Sequence, residues 1–401
     1  MRKKSRPNQH RATNHKMIIS DLDFYPVEIP SSSSASGRRS LIVRLLSHSG
    51  HEGWGEANLH SSRLEISKAE YGSPASQGGC ARPKAGTHTG CGIAWRQDEL
   101  SLRREYLLPF LFGRSVFDLE EMTRLEPLQS PPIRFAVEMA CWDMIGRICK
   151  HPICRFLGGE YRHHIPITAR LSGKDVDEIA YTSQEFAGRG YHWQSLPLSG
   201  RFDDDLHAVE QVVAVSQNRV DLRIDASGMY SHDDCLRFLS CCENSGITVF
   251  IDPLIDGTLH GISALQKQTN ISLGVRQCIR SSQDVLEMAK LGNLNWLMLD
   301  PQQIGSVLEM KKCAAVAKAA GIRVSVSSLD SVGPLAAAMT QLAASLPALS
   351  HGNECFPLQL EESIFKETLE TVDGLLRLSL GHGIGFAIDK TKLEKYVAVD
   401  K

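Results

Sequence analysis

The chain has 401 residues, of which 42% are apolar and 22% charged, with a formal net charge of −2. This length exceeds that of one ordinary domain and suits a barrel-sized domain with a smaller partner. The near-neutral charge gives no general attraction to nucleic acid or to a membrane surface. No apolar run approaches the roughly 18 residues of a spanning helix. We therefore expect neither nucleic acid nor a membrane as a partner.

The cysteines and the amino terminus indicate where the protein resides. Eleven cysteines are present without a C-x-x-C pair, which is typical of a reducing compartment rather than of a disulfide framework or a zinc site. Residues 1–16 hold six Lys or Arg, no acidic residue and no apolar stretch of a signal peptide. We interpret them as a disordered basic tail or the product of an early start codon. The alternative is that this tail contacts nucleic acid or serves as a targeting signal. The expected location is the cytoplasm.

The first part of the chain predicts a small α+β domain over residues 17–130. Alternating apolar residues from Ile18 to Ile29, the run from Leu41 to Leu46 and the segment from Gly53 to Ala57 predict a meander of antiparallel strands. Residues 60–98 are rich in Gly, Ser, Pro and His without apolar periodicity. A loop of this length is either a functional lid or disordered.

The second part predicts a barrel over residues 131–370. An amphipathic helix is predicted over 133–146, from apolar residues at helical spacing. Apolar strand candidates then recur every 24 to 28 residues or so, with helical segments between several of them, and eight such strands describe a (β/α) barrel whose reactive groups lie at the carboxyl ends of the strands. The candidates lie near 165–170, 192–198, 220–225, 247–251, 271–275, 295–299, 322–327 and 348–352.

Several stretches resemble the mandelate racemase and muconate lactonizing enzyme family of the enolase superfamily. They are GWGEA at 53–57, AVEMACWD at 136–143, FLGG at 156–159, LRIDA at 222–226, IRS at 279–281, 300–305 and 381–385. The resemblance implies an α/β fold, with a TIM-type (β/α) barrel of seven or eight units and an α+β N-terminal capping domain to which residues 371–401 return. It implies an isomerase or lyase of the muconate cycloisomerase or racemase/dehydratase type, which uses Mg²⁺ to abstract the alpha proton of a small carboxylate. It also makes a homo-oligomer a reasonable expectation.

The family positions for the catalytic bases carry other residues here. The lysine pair at the end of the second barrel strand is replaced by Ser195 and Pro197. On the opposite face, Asp300 matches the aspartate of the racemase-like subgroup, whereas Ser327 replaces its histidine. Proline cannot accept a proton, and serine needs a base of its own. Neither base set is complete.

The family positions for the metal ligands are only partly acidic. Asp225 matches the first carboxylate. Ile251 stands at the second position, and Asp252, one residue later, reaches the site only if the strand ends early or bulges. Gln277 replaces the third acid, and its amide oxygen adds no charge. These residues predict a weak Mg²⁺ site, if any.

Three further residues near the expected barrel mouth are candidates for ligand binding. Arg276 and Arg223 could supply positive charge where the ion would lie, and a guanidinium suits a carboxylate ligand. For Arg223 we favour neutralisation of Asp225, two residues along the same strand face. His351 could act as a base or bind substrate, and a structural histidine is the alternative.

Two hypotheses about function remain open at this stage. One is a diverged enzyme that still processes a small carboxylate with an altered set of groups, among them Asp225, Asp252, Gln277 and Asp300. The other is a catalytically inactive homologue that keeps the barrel as a small-acid binding or assembly module. The replacements at positions 195, 197, 251, 277 and 327 motivate the second hypothesis.

Overall fold

The structure is a computed structural model that describes residues 17–31, 34–58, 97–216, 219–350, 352–354, 358 and 360–398. The basic tail, the long loop up to residue 96 and His351 lie outside the described residues. Among the helices of the described ranges, none is long and apolar enough to cross a membrane.

The predicted meander is confirmed as a three-stranded antiparallel sheet. Its strands are β1 (Ile19–Ser31), β2 (Ser34–Ser47) and β3 (Glu52–Ala57), in that spatial order. Two glycines of β3 are required by close packing. A Cβ at Gly53 or Gly55 would lie 1.9 Å from the carbonyl oxygen of Ala140 or Ala136, so the sheet lies directly against the helix that carries these alanines.

That helix is the longest described and joins the two parts of the molecule. The first part holds α1 (Gln97–Leu111), α2 (Leu119–Met122), a 3₁₀ turn (Glu126–Leu128) and α3 (Pro131–Cys149). The helix predicted over 133–146 is confirmed, but the prediction that this helix is amphipathic is wrong. Every residue of α3 from Phe135 to Gly146 is buried, because β3 packs on one side and barrel elements on the other. A helix buried on all sides loses its polar face.

Seven parallel strands form the main sheet, in the order β5 to β11. A short strand, β4 (His164–Pro166), precedes this sheet. The strands of the sheet are β5 (Thr168–Arg170), β6 (Trp193–Pro197), β7 (Asp221–Asp225), β8 (Ile247–Ile251), β9 (Leu273–Val275), β10 (Trp296–Leu299) and β11 (Arg323–Val326). The helices are α4 (Ile153–Phe156), α5 (Val176–Gly188), α6 (Phe202–Ser216), α7 (His232–Cys242), α8 (Leu259–Gln266), α9 (Ser282–Leu291), α10 (Pro301–Ile304), α11 (Val307–Ala319) and α12 (Pro334–Ser345). These elements confirm the (β/α) barrel.

The predicted eighth strand near 348–352 is replaced by isolated parallel bridges. Leu349 pairs with Val324, Glu354 with Ser327, and Asn353 with Ile167. The Asn353 side chain accepts a hydrogen bond from the Val326 N–H (3.1 Å) and donates one to the Pro166 carbonyl oxygen (3.1 Å). This amide therefore joins β11 to the end of β4, beside the backbone hydrogen bonds from the Glu354 N–H to the Val326 carbonyl oxygen (2.9 Å) and from the Thr168 N–H to the Asn353 carbonyl oxygen (2.8 Å).

The chain end contacts both parts of the molecule. Strands β12 (Thr371–Val372) and β13 (Leu375–Arg377) form an antiparallel sheet with β4, and α13 (Lys390–Lys395) follows. The backbone N–H of Ala398 then donates to the Pro26 carbonyl oxygen over 2.9 Å.

A buried carboxylate, Glu56 at the end of β3, connects the N-terminal sheet to the barrel. Its oxygens accept hydrogen bonds from the N–H groups of Val332 (2.7 Å) and Leu335 (2.8 Å). They also accept from the hydroxyls of Ser40 (2.9 Å) and Ser331 (3.0 Å). Leu335 lies in the first turn of α12, where unpaired N–H groups favour a negative partner.

We expect Glu56→Ala to lower the free energy of unfolding by at least about 3 kcal/mol, because two buried N–H groups and two hydroxyls lose their acceptor. Urea denaturation followed by circular dichroism measures the change. Glu105→Ala, at an exposed position of α1, is the matched control and should stay within about 0.5 kcal/mol of the parent chain. Equal stability of the two variants would contradict this role of Glu56.

Candidate active site at the barrel mouth

The carboxyl ends of the parallel strands bring most of the predicted site residues together. Asp225 ends β7, Asp252 follows β8, and Arg276 follows β9. Asp300 and Ser327 follow β10 and β11. All five are at least nine-tenths buried. Because these strands are parallel and neighbouring, their ends meet at one rim of the barrel.

Arg276 and Asp225 form a two-point ion pair at the centre of this rim. Nη1 of Arg276 donates to Oδ2 of Asp225 over 2.8 Å, and Nη2 donates to Oδ1 over 3.1 Å. A planar guanidinium matches a carboxylate in this two-bonded geometry. Burial alone raises the pKa of Asp225, but the guanidiniums of Arg276, Arg170 and Arg223 outweigh burial and hold this pKa well below its usual range.

Asp252 reaches the site through an unusual backbone conformation. Strand β8 ends at Ile251, and Asp252 has a φ of +45°, in the left-handed region that few residues other than glycine adopt. Its Oδ2 lies 3.2 Å from Nε of Arg276. The early strand end that our sequence analysis required is therefore present. Burial raises the pKa of Asp252 to about 6 although Arg276 lowers it.

The side chains at the other two family positions for metal ligands, Ile251 and Gln277, contact other residues. Ile251 packs with Val249 and Trp296 in a small apolar cluster. The Gln277 side chain donates from Nε2 to the Ser227 carbonyl oxygen over 3.1 Å.

The donor set does not fit Mg²⁺. This ion needs several oxygen ligands around a free centre. Here the Arg276 guanidinium lies against both carboxylates, with 4% of its side chain exposed. Within the described part of the chain, no three His, Cys, Asp or Glu residues are grouped so that they could hold a metal ion.

The favoured interpretation of Arg223 is only partly right: its charge lowers the pKa of Asp225, but its ion-pair partner is Glu354. Nη2 of Arg223 forms an ion pair with Oε1 of Glu354, and Nη1 donates to the Gly352 carbonyl oxygen over 2.6 Å. Both side chains are buried. Arg170, at the end of β5, lies between the two ion pairs, 3.3 Å from Asp225 and 3.8 Å from Glu354. A chain of charges therefore crosses the mouth from β9 to the segment after β11.

The substituted base positions hold buried hydroxyls. Neither Ser195 Oγ nor Ser327 Oγ has a hydrogen-bond partner among the described residues. Ser195 pairs in register with Arg170 on one side and Arg223 on the other, so the three share a face of the sheet. Pro197 pairs with Asp225. A serine without an adjacent base is a weak nucleophile and no proton acceptor.

Asp300 keeps a place at the rim but serves partly as a helix cap. Its side chain accepts a hydrogen bond from the Gln302 N–H over 2.8 Å at the start of α10. Its charge also acts on the Arg276 guanidinium. Asp300 therefore belongs to the same electrostatic cluster as Asp225 and Asp252.

A small cavity of about 30 Å³ lies beside this cluster, between β2 and the mouth. Its lining includes Arg38, Thr168, Arg170, Ser328, Asp330 and Glu354. Arg38, Thr168 and Arg170 are not among the site residues predicted from the sequence. Arg170 carried a usable signal, since it ends the first predicted strand. Arg38 carried none, because its position over the mouth depends on how the N-terminal sheet packs.

Comparisons with known proteins agree with this architecture. The sequence profile of the Enolase C-terminal domain-like family matches residues 178–392, more than half of the chain. Muconate cycloisomerase 1 of Rhodococcus opacus is 24% identical over 295 residues, which cover 71% of this chain and 78% of that protein. N-succinyl-L-Arg/Lys racemase of Bacillus cereus is 21% identical over 308 residues, covering 76% and 83%.

Solved structures show the same fold. The crystal structure of muconate cycloisomerase from Pseudomonas fluorescens matches with a TM-score of 0.80 and 22% identity, covering 95% of this chain and 99% of that one. The structure of the Bacillus cereus racemase matches with a TM-score of 0.79 and 19% identity, covering 95% and 98%. The chain belongs to the Enolase C-terminal domain-like family and, within the enolase superfamily, to the mandelate racemase and muconate lactonizing enzyme branch. Its homology supports an isomerase-type function of that family.

We expect Asp225→Asn to lower the free energy of unfolding by about 3–5 kcal/mol at neutral pH, because it leaves the buried Arg276 without its main partner. The folded-state pKa of Asp225 is depressed below 3.8, so its contribution is lost as pH falls below that value. The difference in the free energy of unfolding between the parent chain and the variant should therefore become smaller below this pH. Denaturation at about pH 7 and pH 3 measures this difference, with Asp221→Asn at the exposed start of β7 as control.

We expect Asp252→Asn to change the pH dependence of stability in the opposite sense. The Asp252 carboxyl ionises near 3.8 when unfolded but near 6 when folded, so the folded state binds more protons in this window and stability falls as pH rises. The variant lacks this fall. Its stability relative to the parent chain should therefore improve from about pH 4 to about pH 7. A flat difference across this range, like that expected of exposed Asp233→Asn, would contradict the raised pKa.

Proposed function

We propose that this protein binds a small carboxylate at the barrel mouth without Mg²⁺ and does not carry out metal-assisted enolization. The observation that carries the proposal is the Arg276 guanidinium bonded to Asp225 and adjacent to Asp252. An enediolate formed beside a carboxylate needs a nearby cation with free coordination. Arg276 neutralises these acids, but a guanidinium has no coordination position to offer an enediolate.

The base positions support the same proposal. Removing an alpha proton requires a positioned acceptor whose pKa is near the working pH. Among the described residues, Ser195 and Ser327 offer hydroxyls without a hydrogen-bonded base, and Pro197 offers no proton acceptor at all. Replacement of metal-ligand and base positions at the same site favours an inactive homologue over an enzyme in which one catalytic step has changed.

Binding of a small acid is supported by the cations around the cavity. Arg38 and Arg170 line it from the N-terminal sheet and from β5, beside the acids Asp330 and Glu354, and a guanidinium suits a carboxylate. Arg276, our predicted ligand-binding residue, faces Asp225 and Asp252 instead. Because Arg170 also lies against Asp225 and Glu354, we assign the binding role mainly to Arg38.

A second candidate is a diverged isomerase or lyase that works without a metal. The observation that favours it is Asp252, whose pKa is raised to about 6 and whose carboxyl can therefore exchange a proton near neutral pH. Strongly shifted acids in a cleft are candidates for proton transfer. Asp300, in the same cluster, is the second acid of this candidate.

Calorimetry with Mg²⁺ on the purified protein tests the first proposal. We expect no specific binding, because Arg276 already lies against the two carboxylates. Incubation with acid sugars, dipeptides and muconate in heavy water, with and without Mg²⁺, should give no deuterium at the alpha carbon by NMR. Exchange without Mg²⁺ that Asp252→Asn abolishes would establish the second candidate instead. Mg²⁺ binding in the micromolar to low millimolar range would contradict the first.

The same acids test binding by thermal shift in the absence of metal. We expect at least one of them to raise the unfolding temperature of the parent chain, since ligand binding to the folded state stabilises it. Arg38→Gln should reduce this shift, whereas Arg124→Gln, at a largely exposed position, should not. No shift with any acid would count against a small-carboxylate ligand.

A further inference from the structure

We infer that residues 1–16, the basic tail, bind in a cavity of the same chain at the junction between the N-terminal part and the barrel. The cavity has a volume of about 320 Å³ and is open to solvent. Its wall comes from residues 117–121 of the N-terminal part, from Trp142 in α3 and from Leu308 in α11. This site lies apart from the barrel mouth, and the inference does not depend on the proposed function.

Most of the cavity surface is apolar, and one aromatic ring in it is exposed. Phe117 is 55% exposed, and Leu119, Trp142 and Leu308 provide the rest of the apolar surface. An exposed aromatic face attracts a cation. The methylene groups of lysine and arginine cover apolar surface while their charged ends stay in water. The surface therefore suits a segment rich in these two residues, even one with few apolar side chains.

The polar part of the wall is acidic. Asp118, Glu120 and Glu121 line the cavity, and none of its lining residues is basic. Glu120 and Glu121 form ion pairs with Lys312 (3.0 Å) and Arg114 (2.6 Å) outside the lining. Both glutamates are more than half exposed, and ion pairs at such positions are individually weak. Asp118 has no ion-pair partner within the described ranges. A basic segment can therefore add favourable charge interactions here.

The tail joins the fold beside this wall. Residues 1–16 hold six Lys or Arg and no acid, and the described chain begins at Met17. The Met17 carbonyl oxygen accepts a hydrogen bond from the Val116 N–H over 2.9 Å. Val116 directly precedes Phe117, so the tail is tethered next to the cavity. A short tether raises the effective concentration of the tail at the cavity to roughly millimolar, and individually weak contacts then suffice. A separate molecule has no such advantage, so we assign the cavity to the tail of the same chain.

Limited trypsin digestion of the full-length protein tests the inference, with mass spectrometry following cleavage after Arg11. At low salt we expect this bond to be cut about fivefold or more slowly than in a free peptide of residues 1–20, because proteolysis follows the population of the unbound tail. The protection should fall at about 0.5 M NaCl, where charges at exposed positions are screened. Asp118→Asn/Glu121→Gln and Phe117→Ala should each reduce it. Glu105→Gln, at an exposed position of α1, should leave it unchanged.

Three results would overturn the inference. One is equal cleavage of the protein and the free peptide. Another is protection that persists at high salt and in both cavity variants, since this is the effect of crowding by the folded chain alone. The third is protection that grows with protein concentration, because the tail then binds a second copy. The salt and concentration series use the parent chain, so they decide the question even if a variant fails to fold.

Discussion

The ion pair of Arg276 with Asp225 and Asp252 is the constraint on which the barrel mouth depends. Three buried charged groups are tolerable only when each has partners of opposite sign and hydrogen bonds for its remaining atoms. Asp225 has two donors from Ser227, and Asp252 has two backbone donors, so Arg276 completes a set that is otherwise satisfied. Removal of Arg276 deprives Asp252 of its cation and Asp225 of its two-point partner, and chemistry that needs a free cation has no room there.

Charged side chains also join the parts of the molecule away from the mouth. Glu138, in α3, accepts hydrogen bonds from the N–H groups of Val307 and Leu308 at the start of α11 (3.0 and 3.1 Å). Asp143, one turn further along α3, accepts from the N–H groups of Trp54 (3.0 Å) and Ile384 (2.9 Å). Like Glu56, each meets backbone donors from another region of the chain. The family-like motifs around these acids are thus explained by assembly of the two parts, independently of catalysis.

Much of the fold could be predicted because it depends on local periodicity. Seven of the eight predicted barrel strands are present, since apolar runs between helical segments are a property of the chain alone. In place of the eighth, isolated bridges and backbone bonds close the barrel together with the Asn353 side chain, an arrangement that no apolar pattern signals. The amphipathic assignment of α3 failed because burial on every side depends on what packs around a helix. The tail, the long loop and His351 stay predictions.

The sequence by itself determined the family, the barrel and the absence of the family's residues at positions 195, 197, 251, 277 and 327. It also supplied Asp225 and Arg276 as neighbours of the expected metal position. Only the tertiary structure decided which charged side chains form ion pairs with each other. Arg223 forms its ion pair with Glu354 and acts on Asp225 only through its charge, and Asp252 reaches Arg276 through a left-handed backbone conformation. The physical reason is that an ion pair depends on the distance between strand ends that are far apart in the chain. A strand or a motif, by contrast, depends on consecutive residues.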